Sequence, residues 1–349
     1  MLILAIETSC DETCAAVLQD GRMVLSNIIS SQIGLHRKTG GVIPEVAARE
    51  HLKNIIPVVD KALAEAKVTM NDIEVIAVTE KPGLIGCLLV GLNTAQALAW
   101  VYGKKLIMVN HIYGHVFANW LVEKKEKSLP STTIGGKKKN IKLDMDDFEF
   151  PIVVLSVSGG HNDIILMKNY QNIEIIGKTL DDAAGEAFDK VARMIGLDYP
   201  GGPSIQKVAG KGNKYAFDFP KSMSKSKDFN FSFSGLKTSV LYKIKDLTAH
   251  SSQLTAQLQA DLAASFQETV CDILITKLLK AAEKYRAKEI HLTGGVSANL
   301  RLRKFLLERT KNKNFKIRYP HNITFCTDNA AMIGAAGKFY DHFEGSSDF

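Results

Sequence analysis

His111 and His115 stand four residues apart in a stretch with helical patterning. That spacing puts both imidazoles on one helix face, one turn apart, where they can share a metal ion. Two His with a carboxylate and open positions suit Fe(II) or Zn(II). Position 112 is Ile, so the pair is not the H-E-x-x-H of a zinc protease and lacks its general-base Glu. Asp328, in Thr327-Asp328-Asn329 ahead of an apolar helical stretch at 330–340, is a candidate third ligand or, alternatively, only a helix cap. Two Gly-rich turns carry a second kind of chemistry. Thr293-Gly294-Gly295 follows an apolar run and precedes a helical stretch at 298–307, and Ser158-Gly159-Gly160 follows another apolar run. Strand, Gly-Gly turn and helix together make a seat for a phosphate or an adenosine, because Gly lets backbone approach the ligand and a helix N-terminus favours an anion.

Positioning such groups takes more than one core, and the chain is long enough for about two domains. It has 349 residues, 46 % hydrophobic and 23 % charged, with 26 Gly and 9 Pro, the composition of a globular protein and not of a disordered or fibrous one. The apolar start is short and has no basic segment before it, so it does not read as a signal peptide. Residues 84–102 form an apolar run near membrane length, but Gly86, Gly91, Asn93, Thr94 and Gln96 interrupt it. A loop followed by a buried helix is the better reading. Five Cys at wide spacing, with no C-x-x-C pair, fit reduced thiols in a cytosolic protein. The formal net charge is +7, and the positive charge is clustered. Residues 299–318 hold Arg301, Arg303, Lys304, Arg309, Lys311, Lys313, Lys316 and Arg318 against Glu308 alone. A second group comprises Lys211, Lys214, Lys221, Lys225 and Lys227. Such patches attract phosphate backbones, although a charge run is more often a solvated face.

The elements that must carry these residues fall into two similar sets. Residues 2–6, 14–18 and 23–29 read as three strands, the last two joined by the hairpin signal Asp20-Gly21. Helices follow at 44–67, 94–101 and 111–121, with strands at 75–79 and 106–109. Residues 123–147 lose all apolar periodicity and read as an exposed, mobile insertion whose Lys137-Lys138-Lys139 run could touch nucleic acid. Residues 152–156, 163–168 and 173–177 then repeat the opening meander. A duplicated α/β domain around a cleft follows, the plan shared by actin, sugar kinases and the Hsp70 nucleotide domain. The expected division is a first lobe of 1–122 plus about 326–349, the basic insertion at 123–150, and a second lobe of 151–325.

Ten motifs in order make a specific resemblance over nearly the whole chain. They are IETSCDET from Ile6, GGVIPE from Gly40 with AREH from Ala48, PGLIG from Pro82, and NHIYGH from Asn110. They continue with VSGGH from Val157, DDAAGEAFDK from Asp181, GLDYPGGP from Gly196, FSFSGLKT from Phe231, GGVSAN from Gly294 and CTDNAAM from Cys326. The chain resembles the TsaD group of universal threonylcarbamoyladenosine synthases, which have an actin-like, sugar-kinase-like (ASKHA) fold with two lobes around a nucleotide and metal cleft. The resemblance implies transfer of a threonylcarbamoyl group from threonylcarbamoyl-AMP to N6 of adenosine 37 in tRNAs that read ANN codons.

It also implies roles for residues. His111, His115 and Asp328 would hold one divalent metal, Fe(II) first and Zn(II) as the alternative. Ser156, Val157, Ser158, Gly159 and Gly160 would meet the adenylate, Asp189 and Gly202 its nucleotide part, and Asn299 would bind it from the Gly-Gly turn. Asp11 and Glu12 would lie near the reaction, one of them accepting the N6 proton. The implied partners are tRNA, TsaB-like and TsaE-like proteins, and a TsaC-like enzyme that makes the adenylate, in the cytoplasm and with no membrane. Three departures stand out: Lys81 where Gly usually precedes Pro-Gly-Leu, Asn162 where Thr usually follows Ser-Gly-Gly-His, and the long insertion. A small-molecule kinase or ATPase of the same fold is the rival reading. Kinases of this fold want Gly in the first phosphate loop, and residues 7–13 have none. An Hsp70-type module would need a further domain, and a metalloprotease would need the missing Glu.

Overall fold

The computed structural model describes residues 1–36, 41–123, 148–223, 226–249 and 254–340. Gly40, Lys225 and residues 124–147, with the Lys137–Lys139 run, lie outside the described residues. The described chain forms two compact units, one from within 1–123 and 320–340, the other from within 148–319.

The first unit opens with β1 (Leu2–Glu7), β2 (Glu12–Gln19) and β3 (Met23–Ser31), then a short helix α1 (Ile33–His36). There follow α2 (Pro44–Ala66), β4 (Val75–Lys81), α3 (Ile85–Tyr102), β5 (Lys105–Asn110), α4 (His111–Phe117) and β6 (Val122–Glu123). The second unit holds β7 (Ile152–Val157), β8 (Asn162–Met167), β9 (Ile173–Lys178), α5 (Ala184–Met194), α6 (Gly201–Ala209), α7 (Ser234–Leu247) and α8 (Ala256–Lys284). It ends with β10 (Glu289–Thr293), α9 (Leu300–Thr310) and β11 (Lys316–Arg318), and α10 (Ala330–Tyr340) returns to the first unit.

The two sheets share one topology. Strand order is β5-β4-β1-β2-β3-β6 in one and β11-β10-β7-β8-β9 in the other. In each, an antiparallel three-strand meander pairs through its first strand with a parallel strand, which pairs with another. The repeat legible in the hydropathy pattern is therefore a repeat of strand order. Asp20 and Gly21 both take positive φ, 54° and 64°, the geometry of a tight two-residue hairpin.

Strand β1 is apolar at nearly every position because both its faces are covered. Leu4 and Ile6 join Ile55, Val58 and Val59 of α2, while α10 packs across β1, β2 and β4. In the second unit Val153, Leu155 and Val157 of β7 meet Phe188 of α5 and Phe266 of α8 in one core. Helix α3 departs from the sequence expectation. It starts at Ile85, so Gly86, Gly91 and Asn93 lie inside the helix and not in a loop. It is also only one-sidedly buried: Cys87, Val90, Ala95 and Ala99 face inward, whereas Ile85, Leu89, Trp100 and Val101 are exposed. Its length and hydropathy would suffice to cross a membrane, but here its inward face packs on α2 and β4.

The basic run at 301–318 is less free than its sequence suggests. Arg301 donates to Glu268 (2.6 and 2.8 Å) and Glu308 (3.0 Å), and Arg309 to Asp272 (3.0 Å). Lys313 pairs with Glu283, Lys316 with Glu149 and Arg318 with Glu289. Carboxylates of α8, 30 to 40 residues earlier in the chain, account for three of these pairs. The charge is largely neutralised within the second unit.

Candidate metal centre and Gly-rich turns

Helix α4 presents the two histidines as their spacing requires. Asn110 caps it, its side-chain oxygen accepting from the Ile112 amide at 2.9 Å. The imidazoles of His111 and His115 meet edge to face with centroids 4.7 Å apart, and both rings are buried. Their Nε2 atoms converge on one oxygen of Asp328, at 3.5 Å from His111 and 3.2 Å from His115. One donor atom from each of the three residues lies within 4.8 Å of the others, so the triad can hold a metal ion. Two imidazoles and a carboxylate, with positions left open, fit Fe(II) or Zn(II). Asp328 is not the cap of α10. That role belongs to Asn329, whose side-chain oxygen accepts from the Met332 amide at 3.0 Å.

A residue not singled out in the sequence completes this site. Glu7, at the end of β1, is fully buried, and its Oε2 lies 3.0 Å from His111 Nδ1. The same carboxylate accepts from the Thr79 hydroxyl (2.5 Å) and the Ser9 amide (2.5 Å). Burial opposes its charge, but His111 and the Thr79 hydroxyl hold the carboxyl below its usual range. For His111 burial alone would lower the pKa; Glu7 and Asp328 hold it up at about 9. A carboxylate on Nδ1 fixes the ring so that Nε2 faces Asp328. The sequence signal was a single charge closing an otherwise apolar strand. Glu7→Gln keeps the volume but weakens this anchor. It is expected to lower Zn(II) affinity, by calorimetric titration, roughly 10- to 100-fold; unchanged affinity would refute the positioning role.

The loop between β1 and β2 ends on Asp11, and Glu12 opens β2. His51 of α2 pins the loop from below, Nδ1 against the Thr13 hydroxyl (2.8 Å) and Nε2 against the Cys10 carbonyl (3.0 Å). Leu84 donates to the Ser9 carbonyl at 2.8 Å, and a Cβ on Gly83 would stand 2.7 Å from that oxygen, so the Pro-Gly-Leu turn packs on this loop only through glycine. Glu12 accepts from the Ser31 hydroxyl at 3.0 Å. Burial first, and then Asp11, push its carboxyl up to about 9, so it holds a proton at neutral pH. The fold thus favours the neutral form, and ionisation works against folding as pH rises from the ordinary carboxylate range to about 9. Glu12→Gln is expected to raise the thermal midpoint, little at pH 5 and increasingly toward pH 9. A difference that stays constant with pH would contradict this.

In the second unit the two Gly-rich turns lie side by side. β7 and β10 are parallel, with Ser156 opposite Thr293, so both turns leave the same edge of the sheet. Gly294 has φ +83°, and a Cβ there would stand 2.4 Å from the Val157 carbonyl oxygen. Only glycine allows that approach. The Ser156 hydroxyl oxygen is buried and has no hydrogen-bond partner among the described residues. Ser158 donates its amide to the His161 carbonyl (2.8 Å), closing a turn on which Gly159 and Gly160 are exposed. Asn162 ties this turn to α5, its oxygen accepting from the Ala184 amide at 3.2 Å. Asp189 accepts from the Gly201 amide at 2.6 Å and so holds the start of α6, where Gly202 is open. Asn299 caps α9 through the Leu302 amide (3.0 Å) and donates to Gln267 (2.8 Å). Gln206 of α6, absent from the sequence reading, accepts from the Leu300 amide at 2.7 Å and joins α6 to α9.

Two sheets of one strand order and a His-His-Asp triad with both imidazoles buried define an ASKHA-type α/β protein with a candidate metal centre. HypF of T. kodakarensis shares the fold, with a TM-score of 0.62 at 14 % identity over 98 % of this chain, which spans 48 % of that protein. So does component A of the Acidaminococcus fermentans (R)-2-hydroxyglutaryl-CoA dehydratase, with a TM-score of 0.51 at 14 % identity and 97 % of each chain covered. The family model for TsaD, tRNA N6-adenosine threonylcarbamoyltransferase, matches residues 23–141 and 135–335. A tRNA N6-adenosine threonylcarbamoyltransferase of Thermosipho melanesiensis is 50 % identical over 348 residues, covering 100 % of this chain and 97 % of the relative. One of Syntrophomonas wolfei is 45 % identical over 97 % of this chain and 92 % of the relative. The chain belongs to the TsaD family. It is a transferase that acts on tRNA, and the kinase or ATPase reading is not favoured.

Proposed function

We propose that the donor is threonylcarbamoyl-AMP and the acceptor N6 of adenosine 37 in tRNAs reading ANN codons. The convergence of the buried His111 and His115 on Asp328, with Glu7 behind His111, is the observation that carries the reading. These three residues would hold one divalent metal, Fe(II) or alternatively Zn(II). Held there, the metal would supply Lewis-acid polarisation of a carbonyl oxygen. The reaction forms the bond from N6 to the carbonyl carbon and breaks the carbon–oxygen bond to AMP, which leaves as a phosphate monoester.

The residues of the second unit would bind the donor. Ser156, Val157, Ser158, Gly159 and Gly160 offer a turn with open glycines and an unpartnered hydroxyl, which suits a phosphate. Asp189 and Gly202 at the start of α6 and Asn299 at the start of α9 would meet the nucleotide part. Asp11 and Glu12, adjacent where the first loop meets β2, would lie near the reaction, and one of them would accept the N6 proton. An adenine in an anticodon loop can splay out of its stack to present N6.

The adenylate would come from a TsaC-like enzyme, and TsaB-like and TsaE-like proteins would act with this chain in the cytoplasm. Leu52 and Ile56 of α2 and Ile85, Leu89 and Trp100 of α3 are exposed on two packed helices, the kind of surface that meets a protein partner. The test is modified-nucleoside mass spectrometry on tRNA from cells lacking their own transferase. Threonylcarbamoyladenosine is expected to return with the wild-type gene and not with His111→Ala. Its return with the variant would remove the metal site from the reaction, and failure with this chain's own partners supplied would remove the proposed donor and acceptor.

A further inference from the structure

We propose that the second unit carries an RNA-stacking site, remote in the chain from the Gly-rich turns, between the loop 213–219 and helix α7. It rests on tRNA being the substrate and names a surface that would grip it. A cavity of about 470 Å³ opens there, lined by Phe217, Phe219, Tyr242, Lys243, Asp218 and Asp246. Three aromatic rings at this place each carry a lysine. Lys214 Nζ lies 4.8 Å from the Tyr215 ring centre, Lys243 Nζ 5.7 Å from Phe217 and Lys245 Nζ 5.9 Å from Tyr242. Tyr215 is 76 % and Tyr242 65 % exposed, although buried aromatic surface is what normally stabilises a fold.

Exposed rings interleaved with lysines are the chemistry of unpaired nucleic acid. Each base has a π-face that stacks on an aromatic ring, and cations between the rings follow the backbone phosphates. The charges present favour this division. Lys243 is paired with Asp246 at 3.0 Å and Lys214 with Glu268 at 3.0 Å, whereas Lys211 and Lys245 have no ion pair among the described residues. Asp218 and Asp246 line the cavity, where they would repel a phosphate but accept hydrogen bonds from the amino groups of a base. A nucleobase enters the cavity, and Lys245, beside Tyr242 of its lining, meets the phosphate. This surface adds to whatever the run at 301–318 contributes, since five of that run's eight basic side chains are already paired with carboxylates.

The test uses the full chain and a fluorescently labelled tRNA with an ANN anticodon, read by anisotropy, with transfer followed in the same preparation. Tyr215→Ala and Tyr242→Ala are each expected to weaken tRNA binding about tenfold, within the range that base–aromatic stacking gives, while Tyr215→Phe and Tyr242→Phe retain it. A short single-stranded RNA should compete better than a duplex of the same length. Unchanged tRNA affinity in both alanine variants overturns the site and leaves the transferase reading standing. So does normal tRNA binding with transfer lost only when partner proteins are required, because the face would then be a protein contact. Absence of transfer by the wild-type chain with its partners tests the reaction separately, since the binding measurement does not depend on it.

Discussion

Asp328→Ala is expected to remove metal binding and to lower transfer about a thousandfold. A bound metal contributes several kcal/mol to charge stabilisation at a polarised carbonyl, and about 4 kcal/mol corresponds to three factors of ten in rate. The triad has one carboxylate, and both Nε2 atoms converge on it, so its loss leaves two imidazoles and no anionic ligand among the three to hold a dication. The variant should nonetheless fold normally, because Asn329 and not Asp328 caps α10. Metal content by elemental analysis and modified nucleosides by mass spectrometry read the first effect, and the thermal midpoint reads the second. A variant that keeps its metal would contradict the assignment.

The difference between Asp328 and Asn329 shows where sequence reading stops. Both are good cap residues in adjacent positions, and only the direction of the Asn329 side chain toward the Met332 amide separates ligand from cap. The His pair was legible because helical spacing by itself brings two side chains together. Glu7 was not, because its partners Thr79 and His111 come from β4 and α4, elements 72 and 104 residues away. The meanders were legible from apolar runs and the Asp20-Gly21 turn, and the strand order followed from them. Helix α3 was misjudged because Gly86, Gly91 and Asn93 look like loop residues, yet Gly91 is required inside the helix, where a Cβ would stand 2.4 Å from the Thr8 hydroxyl oxygen. The basic run was legible as charge but not as a surface. Its carboxylates lie on α8 and on β10, and no local pattern announces them.

Glu289→Ala follows from that last point and is expected to destabilise the second unit by about 3–5 kcal/mol, the cost of removing one member of a buried ion pair. Glu289 is fully buried on β10. It accepts from Arg318 Nε at 2.7 Å and from the Glu149 amide at 2.9 Å, and it lies 2.9 Å from His291 Nε2. Burial opposes its charge, but His291 and Arg318 hold the carboxyl down at about 2. Its contribution is therefore fully present at neutral pH, above the ordinary carboxylate range, and is lost only as pH falls toward 2. Without it Arg318, stacked over Phe148 at 4.2 Å, and the Glu149 amide lose their acceptor. The edge strand β11, which among the described residues pairs with β10 alone, then keeps Lys316–Glu149 but loses the Arg318 tie that holds it. Glu289→Gln keeps acceptors for some of these donors and should cost less. Denaturant midpoints for the two variants at pH 7, with hydrogen exchange at the β10 and β11 amides, measure the effect. A loss under about 1 kcal/mol for the alanine variant, the level of a surface ion pair, would show that the network is solvated and that β11 is held by its backbone bonds alone.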